Sequence, residues 1–214
     1  MENSGEIHIN KQRRQVWRRV IVGLLLIIVV VAGIGLWRFI DATKAVNDYI
    51  ASVDRQYREI SDGENIDQVN VQLPSVWLGQ LLSPKYRRAV ELDQNYQQLI
   101  DRLRNYTLTM QVHNELVDKF NDGMQGDEIL NSDVLELAIQ LRDVVQKCYP
   151  ERTNEIATLT ELCQTIASNT NFADISGDVN KVLHSNDKWL SEERESIETM
   201  RVEFQESINS LNQH

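Results

Sequence analysis

Eighteen consecutive uncharged residues, from Val20 to Trp37, constrain the fold of this chain more than any other feature. A helix rises about 1.5 Å per residue, so a run of this length spans roughly the 27–30 Å hydrocarbon core of a bilayer. Trp17 and Trp37 stand near its two ends, and indole rings favour the boundary between headgroups and acyl chains. The run predicts a transmembrane helix over residues 16–40, with the lipid bilayer as a partner.

Basic residues flank this run unequally. Five precede it, namely Lys11, Arg13, Arg14, Arg18 and Arg19, whereas Arg38 and Lys44 are mixed with Asp41 and Asp48 after it. Cytoplasmic flanks of membrane helices are enriched in Lys and Arg. We therefore expect residues 1–15 to form a cytoplasmic stub and the C-terminus to lie outside. The expected membrane-interface residues are Trp17, Arg18, Arg19, Trp37 and Arg38.

A cleaved secretory signal also combines a basic start with an apolar stretch. Its apolar part is usually about 7 to 15 residues long and ends at a small-residue cleavage site. Here the run is longer and closes with Trp37, Arg38 and Phe39, which favours an uncleaved signal-anchor. The longest other uncharged stretch, residues 68–84, contains six Gln, Asn and Pro residues that hydrocarbon excludes. The prediction is a single-pass protein of the cell membrane.

Charge outside the membrane segment restricts the partners. Residues 1–40 carry six Lys or Arg and two Glu, a net charge of +4. The whole chain carries −10, so residues 41–214 carry −14. A domain this acidic repels nucleic acid and anionic surfaces, which predicts no nucleic-acid partner. Its length is sufficient to bury a core as one domain.

Apolar residues continue at helical spacing beyond the membrane run. Two interleaved series recur every seven residues, and together they are Phe39, Thr43, Val46, Ile50, Val53, Tyr57 and Ile60. This pattern predicts that the membrane helix continues as a juxtamembrane stalk over residues 41–61 and ends at Asp62-Gly63.

Residues 62–82 are predicted to form an irregular strap. Val69, Val71 and Leu73 alternate with polar residues, which is typical of a short extended segment. The uncharged cluster that follows is a possible partner surface or membrane contact, although a short helix capping the core is the more usual role. Its apolar members are Val76, Trp77, Leu78, Leu81 and Leu82.

Four further helices are predicted in residues 83–214. Ser83-Pro84 favours a helix start, and the helix continues to about Gly123, with a strand over 107–112 as a minor alternative. Two shorter helices, 134–148 and 156–169, flank a turn, and a last helix covers 178–211. The expected fold class is all-α, with the membrane helix and stalk followed by an antiparallel four- or five-helix extracytoplasmic bundle.

The last helix carries a strict apolar stripe, namely Leu183, Leu190, Ile197, Phe204 and Leu211. The companion positions are mostly polar, namely Asn186, Glu193, Met200 and Ser207, so half of a coiled-coil seam is missing. This favours packing on the rest of the bundle over a dimeric coiled coil. The acidic residues between 192 and 206 are expected to form a solvated face, with docking of a basic partner as the alternative.

Catalytic, cofactor and metal motifs are not recognisable. His113 and Glu115 are two residues apart and point in different directions on a helix, unlike a zinc-binding pair. The acidic stretches 62–65, 121–123 and 174–178 lack the spacing of a calcium loop, so they are interpreted as helix ends and turns. Cys148 and Cys163 are far offset along a helical hairpin, which favours two buried thiols, with a disulfide as the alternative.

These features favour a non-enzymatic, membrane-tethered helical protein that acts by binding, as an envelope scaffold or adaptor. Its expected partner is another protein or a second copy of the chain. A sensory or signalling subunit that acts through a separate partner is the alternative. An anchored enzyme is less favoured, because di-metal helical bundles need paired Glu-x-x-His motifs that this sequence lacks.

Overall fold

The computed structural model describes residues 4–61, 71–75, 83–124, 131–168 and 172–212. Within these ranges the chain forms five α-helices and no strand, which confirms the predicted all-α class. Residues 107–112, which also suited a strand, are helical. The helices are α1 (Ser4–Ser61), α2 (Pro84–Met124), α3 (Asn131–Cys148), α4 (Thr153–Ser168) and α5 (Phe172–Asn212).

Helix α1 is unbroken, but its two parts have different surroundings. From Trp17 to Ile40 all its large apolar side chains are exposed. Farther along, one face is buried at spacings of three and four residues, namely Val46, Tyr49, Ile50, Val53, Tyr57 and Ile60. The predicted continuation of the apolar helix to Ser61 is confirmed. The buried stripe begins at Val46, because Phe39 still lies in the exposed part.

The chain divides into two compact units, and both α1 and α2 pass from one to the other. The first unit contains residues 1–57 and 70–90, and the second contains residues 58–69 and 91–214. In the first unit the start of α2 lies beside the middle of α1. Ser83, Lys85 and Tyr86 line a small cavity together with Thr43 and Val46.

Ser83 caps helix α2, as the Ser83-Pro84 pair predicted. The backbone N–H of Tyr86 donates to Ser83 Oγ at 3.1 Å, which satisfies one of the free N–H groups of the first turn. Pro84 follows as the first helical residue, where its missing N–H costs nothing. The helix extends to Met124, so residues 121–123, interpreted from the sequence as a turn, belong to its last turn.

Residues 71–75 form neither helix nor strand. Val71 and Leu73 are half-buried and Gln72 between them is exposed. This alternation fits the extended strap predicted for them. The apolar cluster of the strap, residues 76–82, lies outside the described residues, as do residues 62–70.

Four helices contribute to the core of the second unit. Helix α3 packs against α4, and α4 packs against α5. The turn between α3 and α4 lies where it was predicted, and the N–H of Arg152 donates to the carbonyl oxygen of Tyr149 at 2.9 Å. The core includes Leu116, Phe120, Val134, Ala138, Leu141, Val145, Leu159, Leu162, Ile166, Ile175, Val179 and Leu190.

Helix α5 begins at Phe172, earlier than the start predicted at Asp178. Ile175 and Val179 are fully buried and extend the apolar stripe by a turn. Their burial outweighs the cost of Gly177 in a helix, which is about 1 kcal/mol. The stretch 174–178, interpreted from the sequence as a loop, is therefore helical.

The apolar stripe of α5 packs inside this chain. Every member of the predicted series is buried, namely Leu183, Leu190, Ile197, Phe204 and Leu211. The ring of Phe204 stacks on Tyr96 of α2, with centroids 5.4 Å apart. Burial raises the pKa of Tyr96 to about 12. The stripe is therefore buried by packing within the chain, which the sequence favoured over a dimeric coiled coil.

Candidate functional site

The exposed apolar segment of α1 is the first candidate site. Within the described residues, one helix is long and apolar enough to cross a membrane, Trp17–Ile60, with a mean hydropathy of 3.0 over its most apolar 18 residues. None of those 18 residues is buried against the rest of the chain. A signal sequence near an N-terminus also passes this test of length and apolarity. A membrane span and a signal sequence share one property, which is an apolar helix whose whole circumference suits hydrocarbon.

The predicted interface residues lie at the two ends of this segment. Trp17 and Trp37 are each 67% exposed, and their Cα atoms are separated along the helix by about 30 Å. Arg18, Arg19 and Arg38 are exposed beside them. The segment is thus an apolar cylinder about as long as a hydrocarbon core is thick, with an indole and an arginine at each end.

A groove between α4 and α5 is a second candidate site, with a volume of about 330 Å³. Leu162 and Val182 contribute apolar side chains to it, and Glu161, Asp178 and Lys181 contribute charged ones. The predicted partner surface, Val76, Trp77, Leu78, Leu81 and Leu82, lies outside the described residues. Among the residues that are described, no group of three or more His, Cys, Asp or Glu could hold a metal ion.

A buried polar interface joins α2 to α5 in the second unit. The guanidinium of Arg102 lies against the carboxylate of Glu193, with Nε 3.1 Å from Oε1 and Nη2 3.2 Å from Oε2. Nη1 of the same side chain donates to Ser196 Oγ at 3.0 Å and to the sulfur of Met200 at 3.4 Å. One arginine therefore contacts three side chains along two turns of α5.

Glu193 corrects the interpretation of the acidic run on α5. The sequence placed this residue on a solvated face, but its side chain is only 4% exposed. Burial raises the pKa of Glu193 above its usual value, and the positive charge of Arg102 opposes that shift. Asn186 is also buried. The second half of the seam, interpreted from the sequence as missing, is buried at Asn186 and Glu193, and it is polar.

Trp189 links the turn between α3 and α4 to this interface. Its Nε1–H donates to Asn186 Oδ1 at 3.1 Å. Tyr149 packs edge-on against the indole with centroids 5.3 Å apart, and the guanidinium of Arg152 lies 5.4 Å from the ring centroid. Burial raises the pKa of Tyr149, and the negative charge of Glu193 adds to the increase. The contacts combine an edge-to-face aromatic pair with a cation–π interaction.

His113 makes another contact between α2 and α5. It is 1% exposed, and its Nε2 lies 2.8 Å from Oδ1 of Asp187. Its Nδ1 is buried and has no hydrogen-bond partner among the described residues. The sequence did not indicate Asp187 as its partner. No spacing along the chain indicates a pair 74 residues apart.

These contacts place α2 and α5 antiparallel. As residue numbers rise along α2, the numbers of their partners fall along α5. The facing pairs are Tyr96 with Phe204, Arg102 with Ser196, and His113 with Asp187. The polar contacts therefore fix the register of two 41-residue helices, a role that buried polar pairs have in other helical assemblies.

Cys148 and Cys163 are both free thiols, as expected. Cys163 is buried, whereas Cys148 is half-buried, which corrects the expectation that both are buried. Burial raises the pKa of each thiol, and Lys147 and Arg142 respectively oppose the increase. Neither thiol therefore has the lowered pKa of an activated nucleophile.

The chain matches no known protein-family model, no curated protein and no solved structure. Over its described residues the chain is all-helical, with one long apolar helix near its N-terminus. The buried polar contacts described above join α2 to α5.

Proposed function

We propose that this chain is a membrane-anchored helical binding or assembly protein, an envelope scaffold or adaptor without catalytic activity of its own. The observation that carries the proposal is the continuity of α1, which passes from the exposed apolar segment into the buried stripe between Val46 and Ile60. Anchor and folded domain share one helix. A position imposed by the membrane is thereby passed along α1 to its packed part in the first unit, Val46 to Tyr57, without a flexible linker.

Orientation follows from the charges at the two ends of the segment. We assign residues 1–15 to the cytoplasm and residues 41–214 to the extracytoplasmic side, as a signal-anchor that is not cleaved. The excess of basic residues before Val20 supports this assignment. On the outer side the helices form an antiparallel bundle, which the facing order of α2 and α5 supports.

The described polar contacts support a binding role over a catalytic one. Arg102 and Glu193 bind each other, His113 binds Asp187, and the raised pKa values of the thiols leave them poor nucleophiles. Such contacts fix a rigid domain. A rigid acidic surface binds a cationic partner at a small entropic cost.

Insertion is tested with the full chain in bacterial cells, carrying a C-terminal reporter enzyme that is active only outside the cytoplasm. We expect reporter activity and a full-length protein that resists alkaline extraction from membranes. Leu26→Arg with Val29→Arg should abolish both, because each arginine costs about 3 kcal/mol within the span. The matched control is Leu108→Arg with Val202→Arg, at exposed positions elsewhere. Extraction of the unaltered chain, or cleavage near Gly35, would contradict anchoring.

Partner binding is tested by cross-linking in intact membranes, followed by purification of the full chain in mild detergent. We expect a partner, or a second copy, at a fixed stoichiometry. The double-arginine variant of the span should lose it, since the chain no longer reaches the membrane. Recovery of monomer alone from correctly inserted protein would contradict the binding role.

A further inference from the structure

Basic side chains of the first unit gather just beyond the apolar segment. Two belong to α1 and three to the start of α2, and these parts of the helices are neighbours because Lys85 and Thr43 line the same small cavity. We refer to the five residues as the basic collar. They are Arg38, Lys44, Lys85, Arg87 and Arg88.

The collar lies within reach of phospholipid headgroups when Trp37 marks the edge of the hydrocarbon. Lys44 follows Trp37 by seven residues, which is about 10 Å along the helix. The headgroup layer extends about 6–8 Å beyond the hydrocarbon, and charges act over about 8–10 Å at physiological salt. Lysine and arginine side chains also extend toward such an interface. Lys44 and its neighbour Lys85 are therefore within reach of headgroup phosphates.

The charge of this region is opposite to that of the chain beyond the span. Residues 38–57 and 70–90, which belong to the first unit, contain six Lys or Arg and three Asp, a net charge of +3. Residues 41–214 as a whole carry −14. Lys44, Arg87 and Arg88 are exposed, and Lys85 is half-buried. The collar is thus a local basic surface on an acidic protein.

Packing holds the α2 part of the collar in place. Tyr86, between Lys85 and Arg87, is only 8% exposed, and the cap from Ser83 fixes the first turn. The N-terminal end of the helix adds a partial positive charge at the same position. A preordered set of charges binds anions without the entropic cost of ordering them first.

We propose that the basic collar binds the phosphate groups of anionic phospholipids in the leaflet at the C-terminal end of the apolar segment. The proposal rests on the proposed anchoring of α1. Arginine donates paired N–H groups to phosphate oxygens, and lysine contributes a compact charge. Each basic side chain near an anionic surface strengthens attachment about fivefold, which Asp41 partly offsets. The start of α2 is thereby attached to the same bilayer that α1 crosses.

The test is amine footprinting of the full chain in phospholipid nanodiscs, read by peptide mass spectrometry. Lys44 and Lys85 are compared with Lys147, Lys181 and Lys188, which are exposed in the second unit and serve as controls within the same molecule. Replacing phosphatidylcholine by phosphatidylglycerol should slow acylation of the two collar lysines about fivefold. The three control lysines should be unaffected, and high salt should remove the difference.

Two further experiments identify the ligand and the side chains that bind it. Excess inorganic phosphate added to phosphatidylcholine discs should not reproduce the protection, because the lipid surface is the proposed source of phosphate. Arg88→Glu should reduce the protection of Lys85, whereas Arg194→Glu, the same change at an exposed position of α5, should not. Protection by free phosphate alone, or equal effects of the two variants, would overturn the proposal.

The same samples distinguish a failure of the anchoring proposal from a failure of the collar proposal. Hydrogen exchange of the peptide from Val20 to Trp37 reports insertion independently of the collar. Fast exchange there would overturn both proposals. Slow exchange together with equal acylation of Lys44 and Lys85 in the two lipids would overturn the collar alone. The salt series needs no variant, so the outcome does not depend on the folding of Arg88→Glu.

Discussion

Arg102 and Glu193 join α2 to α5 through two nitrogen–oxygen contacts, 3.1 Å from Nε to Oε1 and 3.2 Å from Nη2 to Oε2. Their burial is unequal, because the arginine side chain is 41% exposed and the glutamate side chain is 4% exposed. The carboxylate has therefore lost most of its water, whereas the guanidinium keeps part of its own. The fold consequently depends on the arginine more than on the carboxylate that it covers.

Arg102→Met should destabilise the protein by about 2 kcal/mol, since it leaves the buried carboxylate of Glu193 without a counter-charge. This is less than the roughly 3–5 kcal/mol lost when a fully buried pair is broken, because Arg102 is partly solvated. The double variant Arg102→Met, Glu193→Leu should recover most of the loss. Urea unfolding of the full chain in mild detergent measures both, with Arg194→Met as the exposed control. A double variant as unstable as the single one would contradict this account.

The free energy of unfolding should depend on pH in part through the titration of Glu193. Burial raises its folded pKa above the usual 4.5, so the folded state holds the proton more tightly than the unfolded state. Its contribution favours folding below pH 4.5 and is lost as pH rises through the folded pKa, with a slope of at most about 1.4 kcal/mol per pH unit. Glu193→Gln should remove this slope. Parallel pH profiles of unfolding for the two proteins would contradict it.

Helix positions were predictable from the sequence because apolar spacing reports which residues leave water. The series from Val46 to Ile60 and from Leu183 to Leu211 are buried as that spacing predicts. Glu193 was misplaced because spacing assigns a glutamate to solvent by its type. Its burial is tolerated because its partner Arg102, 91 residues away in the chain, supplies the opposite charge. A single sequence does not show which distant arginine faces it.

The start of α5 was missed for a related reason. Asp174, Gly177 and Asp178 are typical of turns, and local propensity favours a loop there. Ile175 and Val179 are buried in the core of the second unit, and this tertiary contribution exceeds the local preference. The partner of His113 was equally unpredictable, since Asp187 lies 74 residues away in the chain.

Asp187→Ala should destabilise the protein by about 1–2 kcal/mol, because it removes the one hydrogen-bond partner found for the buried ring of His113. His113→Leu should cost less than this, since it also removes the buried Nδ1 that lacks a partner. His184→Ala, at an exposed position, is the control and should change little. Thermal unfolding by circular dichroism measures all three. Equal losses in Asp187→Ala and His184→Ala would contradict the importance of the buried contact.

Cys148 should react with iodoacetamide before Cys163, because it is half-buried and Cys163 is buried. Both should react severalfold more slowly in the folded protein than in urea, since burial raises the two pKa values and lowers the thiolate fraction. Mass spectrometry of alkylated peptides at neutral pH gives the two rates. Recovery of a linked Cys148–Cys163 peptide without reductant would contradict the free thiols.

Gly177→Ala should stabilise the protein by about 0.5–1 kcal/mol, because alanine loses less backbone entropy than glycine within a helix. Gly177 is exposed, and a Cβ atom added there meets nothing within 4 Å. The reverse change at an exposed helical site, Ala157→Gly in α4, should destabilise by a similar amount. Urea unfolding of the full chain compares the two. A loss of stability in Gly177→Ala would mean that residues 174–178 leave the helix in solution, as their composition alone suggests.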